Sequence, residues 1–257
     1  FKKDEMEAFI ELEPASKAYF RLWYGSDEFI NRRPRYCLWL GDCPPNELRK
    51  MPKCLKRIES VREYRLASTS AGTRKLAERP TRFHVENMPK GNYIVIPEVS
   101  SERRRYVPIG YMDDSVLCSN KVRLLPDASL YHFGILTSNV HMSWMRAVCG
   151  RLKSDYSYSI NIVYNNFPWP SPTDAQREKI SQTAQAILDA RALFPEASLA
   201  DLYDELTMPP QLRKAHQAND RAVMEAYGIK KGDAAYSSES ACVAMLMKLY
   251  QELTQKG

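Results

Sequence analysis

A lysine and an aspartate two residues apart, Lys153 and Asp155 in the run GRLKSDYSYS (150–159), put a cationic hydrogen-bond donor beside an anionic acceptor. If the run is extended, side chains alternate, so Lys153, Asp155, Ser157 and Ser159 share one face while Ser154, Tyr156, Tyr158 and Ile160 share the other. The second face is suited to packing, the first to water or a polar partner. A donor and an acceptor at this spacing complement the major-groove edge of a G·C pair, where guanine shows O6 and N7 and cytosine its N4 amine. An exposed ion pair, contributing at most about 1 kcal/mol, is the plain alternative.

Positive charge is the second chemical feature. Between Arg49 and Arg82 there are 11 Lys or Arg residues against three acids, Glu59, Glu63 and Glu78. Arg57, Arg62, Arg65, Arg74 and Lys75 lie there among the short hydroxyls of Ser68, Thr69, Ser70 and Thr73. Such side chains suit phosphate oxygens, to which they bind with salt-dependent affinity and without reading sequence; a solvated helix face is the other reading. Arg103, Arg104 and Arg105 follow Ser100 and Ser101 at the expected start of a strand, where one or two of the three would meet a backbone phosphate.

The elements that must hold these groups divide near FPWPSPTDAQ. Residues 1–172 carry 27 Lys and Arg against 19 Asp and Glu, and residues 173–257 carry 10 against 12, so the basic character belongs to the first part. Thr173 and Gln176 form a capping box ahead of Ile180, Ala184, Ile187 and Leu188 at helical spacing. A Ser-capped turn at SLADLYD, a helix from the Pro209–Pro210 pair to Gly228, and a last helix with Ala241, Met245, Leu249 and Leu253 on one stripe complete an all-helical module. Upstream, EAFIELEPASKAYFRLWYGSDEF and NELRKMPKCLKRIESVREYRLAS are expected to be wholly or partly helical, and HMSWMRAVCGRL a helix closed by Gly150. RYCLWL, NYIVIPEV, YVPIGYM, SVLCSN, KVRLL and INIVYN are short strand-like runs between turn signals. The expectation is an α+β chain: a twisted mixed sheet with packed helices over 1–172, then a helical module over 173–257.

Other chemistries lack their tools. No G-x-G loop, GxxxxGK[ST], HExxH or GxSxG is present, and Asp113, Asp114 and Glu102 lack the E-x-K or D-x-K strand of a nuclease. Asn165-Asn166-Phe167-Pro168-Trp169-Pro170 has the residues of an amino-methyltransferase loop in the wrong order, so no catalytic residue is expected. Six scattered cysteines without a CxxC pair and four histidines at no ligand spacing argue against metal and for free thiols in a reducing cytoplasm. No apolar run reaches membrane-span length, FKKDEMEAF lacks the apolar core of a signal peptide, and the chain, opening on Phe, reads as a piece of something longer with no membrane partner. Two rivals remain on composition: a protein-interaction scaffold, and a single-strand binder stacking bases on exposed tyrosines.

The ordered set FRLWYGSDEFINRRPRYCLWL, PEVSSERRRYVPIGY, YHFGILTSNVHMSWMRAVCGRLKSDYSYS, VYNNFPWP and SLADLYD resembles the C-terminal part of single-chain restriction–modification methyltransferases of the type IIL (type IIG) family and their nuclease-free relatives. The resemblance implies a domain recognising double-stranded DNA, followed by a helical module that helps hold the duplex. It implies an upstream methyltransferase domain in the same chain that uses S-adenosylmethionine on adenine N6, with no cofactor bound by this part. It also implies base reading by Lys153 and Asp155, a Lys-x-Asp pair being the form that selects G. Ser157 with Lys121 is implied as a second pair suited to a purine. Relatives with Glu-x-Arg in this stretch reverse the charge order, and the same groove logic then prefers C.

Overall fold

The computed structural model describes residues 1–86 and 88–255. Its strands in chain order are β1 (Phe20–Tyr24), β2 (Arg35–Leu38), β3 (Tyr93–Pro97), β4 (Val99–Ser100), β5 (Gly110–Met112), β6 (Val116–Cys118), β7 (Val122–Pro126), β8 (Gly150–Leu152) and β9 (Asp155–Ser157). Its helices are α1 (Lys3–Leu12), α2 (Ser26–Ile30), α3 (Pro45–Leu48), α4 (Pro52–Leu66), α5 (Ala71–Lys75), α6 (Leu130–Leu136), α7 (Asn139–Val148), α8 (Asp174–Ala192), α9 (Leu199–Leu202), α10 (Pro210–Ala226), α11 (Ala234–Ser237) and α12 (Glu239–Thr254). The α+β class holds, with the strands distributed over three small sheets of three and a helical C-terminal region.

One compact unit comprises Phe1–Tyr24, Arg33–Met88 and Ser115–Ser119. Its sheet has the order β2-β1-β6, antiparallel between β1 and β2 and parallel between β1 and β6. FRLWY is therefore strand rather than helix, because its aromatic side chains suit a pleated ladder paired on both edges. Helix α4 starts at Pro52, whose missing N–H costs nothing there, and buries Cys54 with Leu40 and Met51. Its N-terminus has no side-chain cap of its own; the buried Glu13 carboxylate accepts from the Lys53 N–H at 2.6 Å instead.

The other unit comprises Gly25–Arg32, Pro89–Asp114 and Asn120–Gly257. Two antiparallel sheets, β5-β3-β7 and β4-β9-β8, belong to it. Strand β3 is central and buried along its whole length, as its run Tyr-Ile-Val-Ile-Pro requires. The core is continuous from Ile94 on β3 through Trp144 on α7 to Ile180, Leu212 and Leu246 on α8, α10 and α12, so it spans residue 172. Helix α8 approaches α6 at Gly134 closely enough that an added Cβ would sit 2.6 Å from Ile180 Cγ2, which is why a glycine stands there. The Asn219 side chain bridges the same helices, donating to the Gly134 carbonyl at 2.7 Å and accepting from Thr183 at 3.0 Å.

Several local expectations are overturned. INIVYN forms a π-helical turn, Ile160–Tyr164, not a strand. Its carbonyls are taken up by the Asn165 N–H, the Asn166 side-chain amide and the Trp144 indole N–H, which outweigh the β-propensity of the run. Helix α6 occupies a stretch that carries no strong signal, and α7 ends at Val148, leaving Gly150 to open β8. On α12 the buried stripe is Cys242 and Leu246, one position round from the one expected, and Leu253 is exposed.

Buried histidines tie the second unit together. His216 stacks on Tyr106 at 4.2 Å with Nε2 2.8 Å from the Tyr203 hydroxyl, and His141 Nε2 lies 3.0 Å from the Tyr158 hydroxyl. Burial lowers both pKa values, that of His141 to about 3. Both rings are thus neutral in the fold and protonate in the unfolded chain below about pH 6.5, so stability is full above that pH and falls as pH drops toward 3. His141 contributes a slope of about 1.4 kcal/mol per pH unit in that window, and His216 acts in the same direction. The urea midpoint should therefore fall between pH 7 and pH 5, and less steeply in His141→Gln. Ending the chain at residue 172 removes the partners of α6 and α7 and should leave a dye-binding, loosely packed product by near-UV circular dichroism.

Candidate nucleic-acid interface

The stretch expected as one extended strand is a hairpin. Strands β8 and β9 pair Gly150 with Ser157, Arg151 with Tyr156 and Leu152 with Asp155, reversing through Lys153 and Ser154. Lys153 therefore does not share a pleat with Asp155: it occupies the first position of a two-residue turn at φ +57°, a place usually held by Gly, Asn or Asp. Ser154 is exposed at the turn instead of packing, and Ile160 is 37% exposed at the start of the π turn.

The two faces are nevertheless sorted as alternation requires along β9. Tyr156 and Tyr158 point to the core, 8% and 3% exposed, and Tyr158 N–H donates to the Glu98 carbonyl at 2.8 Å. Asp155 and Ser157 share the opposite face with Leu152, which is 57% exposed, while Gly150 opposite Ser157 leaves that position open. With both tyrosines in the core, the hairpin offers no stacking platform for an unpaired base.

Arg151 binds the hairpin together. Its guanidinium lies 4.0 Å from the centroid of the cross-strand partner Tyr156, donates to the Ser154 carbonyl at 2.8 Å, and stands 3.5 Å from Glu102. Neither Arg151 nor Leu152 was singled out from the sequence. The signal available was cross-strand pairing, which appears only once the turn is placed at 153–154.

Lys121 sits in the turn entering β7, exposed, and its carbonyl accepts from the Glu98 N–H at 3.3 Å and from the Ser26 hydroxyl. Val99, the next residue along, pairs with Ser157. The fold thus bonds Lys121 and Ser157 to consecutive residues, Glu98 in the bend after β3 and Val99 at the start of β4, beside the hairpin bearing Lys153 and Asp155.

Arg103, Arg104 and Arg105 lie in a turn closed by the Arg104 N–H on the Ser101 carbonyl at 3.1 Å, not at a strand start. Arg103 and Arg105 are exposed; Arg104 is half-buried, and burial lowers its pKa against the opposing influence of Asp155 and Asp204. Arg57, Arg62, Arg65, Arg74 and Lys75 belong to the other compact unit. Arg57 stacks over the Phe1 ring at 4.3 Å, Arg62 stands 4.0 Å from Glu59, and Lys75 is exposed. Arg65 and Arg74 are spent on the backbone. Arg65 donates to the carbonyls of Leu76, Arg79 and Arg82, at 2.9, 2.9 and 2.6 Å, and Arg74 to those of Ser68 and Thr69, at 2.8 Å each. These bonds hold the loops after α4 while Arg74 stays exposed and Arg65 is half-buried, a use of arginine that composition does not reveal.

Among the described residues no cluster of three or more His, Cys, Asp or Glu is placed to hold a metal, and no helix is long and apolar enough to cross a membrane. Nor does the Asn-Asn-Phe-Pro-Trp-Pro segment make a cofactor cradle. Phe167 is buried against His141 and Trp169, Asn166 caps the π turn, and the Pro168 carbonyl accepts from the Tyr227 hydroxyl at 2.8 Å.

An exposed hairpin carrying a donor and an acceptor is suited to recognition of a polar partner. The sequence profile of the MmeI target recognition domain matches residues 1–171, and that of the MmeI C-terminal domain matches residues 172–256. The chain belongs to the MmeI family, as its target recognition and C-terminal domains. It is 38% identical over 253 residues to DNA methyltransferase A of Bacillus subtilis (strain 168), covering 98% of this chain and 28% of that protein. It also superimposes with a TM-score of 0.92, at 45% identity, on the type IIL restriction-modification enzyme MmeI solved in complex with DNA, covering 99% of this chain and 34% of that one. The chain spans about a third or less of the relatives it matches.

Lys153 pays for its turn with left-handed strain. Lys153→Gly should raise stability by about 1 kcal/mol, seen as a higher urea midpoint, because glycine adopts φ > 0 without a Cβ clash. The same variant removes the ammonium, so any discrimination that depends on it should be lost while stability rises.

Proposed function

We propose that this chain reads a short sequence of duplex DNA in the major groove on behalf of a parent adenine-N6 DNA methyltransferase of the restriction–modification type. The observation that carries this is Lys153. A non-glycine residue is held at positive φ on an exposed hairpin tip, with an acidic residue two positions on and no packing gain to offset the strain. Strain of that kind persists where the side chain itself is needed. The resemblance to an enzyme solved with DNA supports the partner, and the burial of Tyr156 and Tyr158 counts against a single-strand binder.

In this reading Lys153 donates to guanine O6 or N7 and Asp155 accepts from the cytosine N4 amine; Ser157 and Lys121 inspect a neighbouring pair. Because Lys153 stands at the tip and Asp155 on the first rung, the two reach the groove from different depths. Arg103, Arg104 and Arg105 take phosphates beside the hairpin, and Arg57, Arg62 and Lys75 take them elsewhere on the duplex; Arg65 and Arg74 keep their structural bonds. The boundary near 172 is one of function, between the segment that carries the readers and the helical module that completes their core. Transfer of the methyl group, with S-adenosylmethionine bound, belongs to an upstream domain of the same chain inside the cell. No catalytic step is assigned to the residues described.

Exchanging Lys153→Glu together with Asp155→Arg should reverse the preferred pair at one position, with a cost of roughly 1–3 kcal/mol for the old one. Binding of duplexes varied at each position, measured at fixed salt, checks it. Equal weakening on every duplex would demote both residues to backbone contacts.

A further inference from the structure

A polar cleft of about 570 Å³ lies beside the hairpin, between the arginine turn 103–105 and the junction of α11 and α12. Its charges are unevenly spent. Each acid on its wall already has a partner: Glu102 faces Arg151 at 3.5 Å, and Glu205 faces Arg213 at 2.9 Å. Asp220 accepts from the Tyr106 hydroxyl at 2.6 Å and the Asn139 N–H at 2.7 Å. Glu239 receives both arms of Arg146, at 2.7 and 2.9 Å.

The cations are different. Among the described residues the guanidinium groups of Arg103 and Arg104 make no hydrogen bond or ion pair, although Arg104 is half-buried. A guanidinium withdrawn from water without a hydrogen-bond acceptor is costly, and here only the charges of Asp155 and Asp204, neither of them bonded to it, offset that cost. Ser237 lines the same cleft, and its hydroxyl also makes no hydrogen bond among the described residues. Two planar five-donor groups and a hydroxyl around a void match a ligand with several acceptor oxygens, which is the chemistry of a phosphate.

We propose that this cleft is a phosphate-binding site formed jointly by the arginine turn and the α11–α12 junction, and that its ligand is a backbone phosphate of the duplex flanking the bases the hairpin reads. The site rests on the DNA-reading function proposed above. Continuity supports that ligand: the Glu102–Arg151 pair links the cleft wall directly to the hairpin at β8. The site also gives the C-terminal segment a part in DNA contact. Arg146 makes no contact with the ligand; its bonds to Glu239 and to the Arg105 carbonyl at 3.0 Å hold the two walls.

The test uses the full chain with Arg104→Gln. Because Arg104 makes no hydrogen bond or ion pair among the described residues, its urea midpoint should stay close to that of the unaltered protein; a clear loss of stability would mark a structural role and overturn the site. Cognate and scrambled duplexes should both bind about tenfold more weakly, with the slope of log affinity against log salt reduced by about one. Loss of discrimination with little loss on the scrambled duplex would place Arg104 among the base readers instead and end the proposal. Inorganic phosphate separates the sources. If it raises the melting temperature of the unaltered protein but not of the variant, and DNA binding is the same in both, the cleft takes free phosphate and the duplex assignment fails. If neither DNA binding nor the phosphate response distinguishes the two proteins, the site does not exist. A failed base exchange at Lys153 and Asp155 with a positive Arg104 result would sink the reading of bases and leave the cleft standing.

Discussion

The three contacts of the Arg151 guanidinium are the constraint on which the recognition surface depends. A two-residue turn with lysine at positive φ is a poor turn by its own chemistry, and the guanidinium compensates by bonding the Ser154 carbonyl across it. The same group lies on Tyr156, whose burial anchors β9 in the core, and reaches Glu102 in the arginine turn. The turn, the core and the cationic loop thus meet at one side chain. Its delocalised, planar charge serves all three at once, which a lysine ammonium would not.

Behind that surface, rigidity comes from the helical segment. Helices α8 and α10 supply the partners of α6, and the buried polar atoms of Asn219, Asp220 and His216 on α10 are bonded to Gly134, Tyr106 and Tyr203 respectively. Buried hydrogen bonds of this kind favour one packing over near alternatives, because a shift in register leaves each of them unpaired. The hairpin is short and exposed, but the strand it grows from is not: Tyr156 and Tyr158 connect it to His141 on α7 and to the Glu98 carbonyl. A small reading element gains precision by standing on such a base.

Positive charge in the chain serves two purposes that composition does not separate. Arg65, Arg74 and Arg146 saturate backbone carbonyls and fix loops, whereas Arg103 and Arg104 make no hydrogen bond or ion pair among the described residues. A carbonyl at a loop or helix end needs a donor as much as a phosphate does, and a long guanidinium stem reaches either. Density of arginine therefore marks where donors are needed, and only the positions of acceptors show what they are for.

Much was legible from local chemistry. The Thr173 capping box, the helices after it, the buried strand Tyr93–Pro97 and the inward turn of Tyr156 and Tyr158 follow from spacing, caps and alternation, which act within a few residues. The place of the chain in its family was likewise open to inspection of the string, whereas the shared pleat expected of Lys153 and Asp155 was not realised, because the turn separates them. What local chemistry left undetermined was long-range bonding. A strand at FRLWY needed partners from residues 35–38 and 116–118, and the π turn at 160–164 needed the Trp144 indole. The reversal at Lys153 needed Arg151 and Tyr156 to face each other across a ladder. Such partners lie outside any local window, and their free energy exceeds the small propensity differences from which a strand or a helix is otherwise inferred.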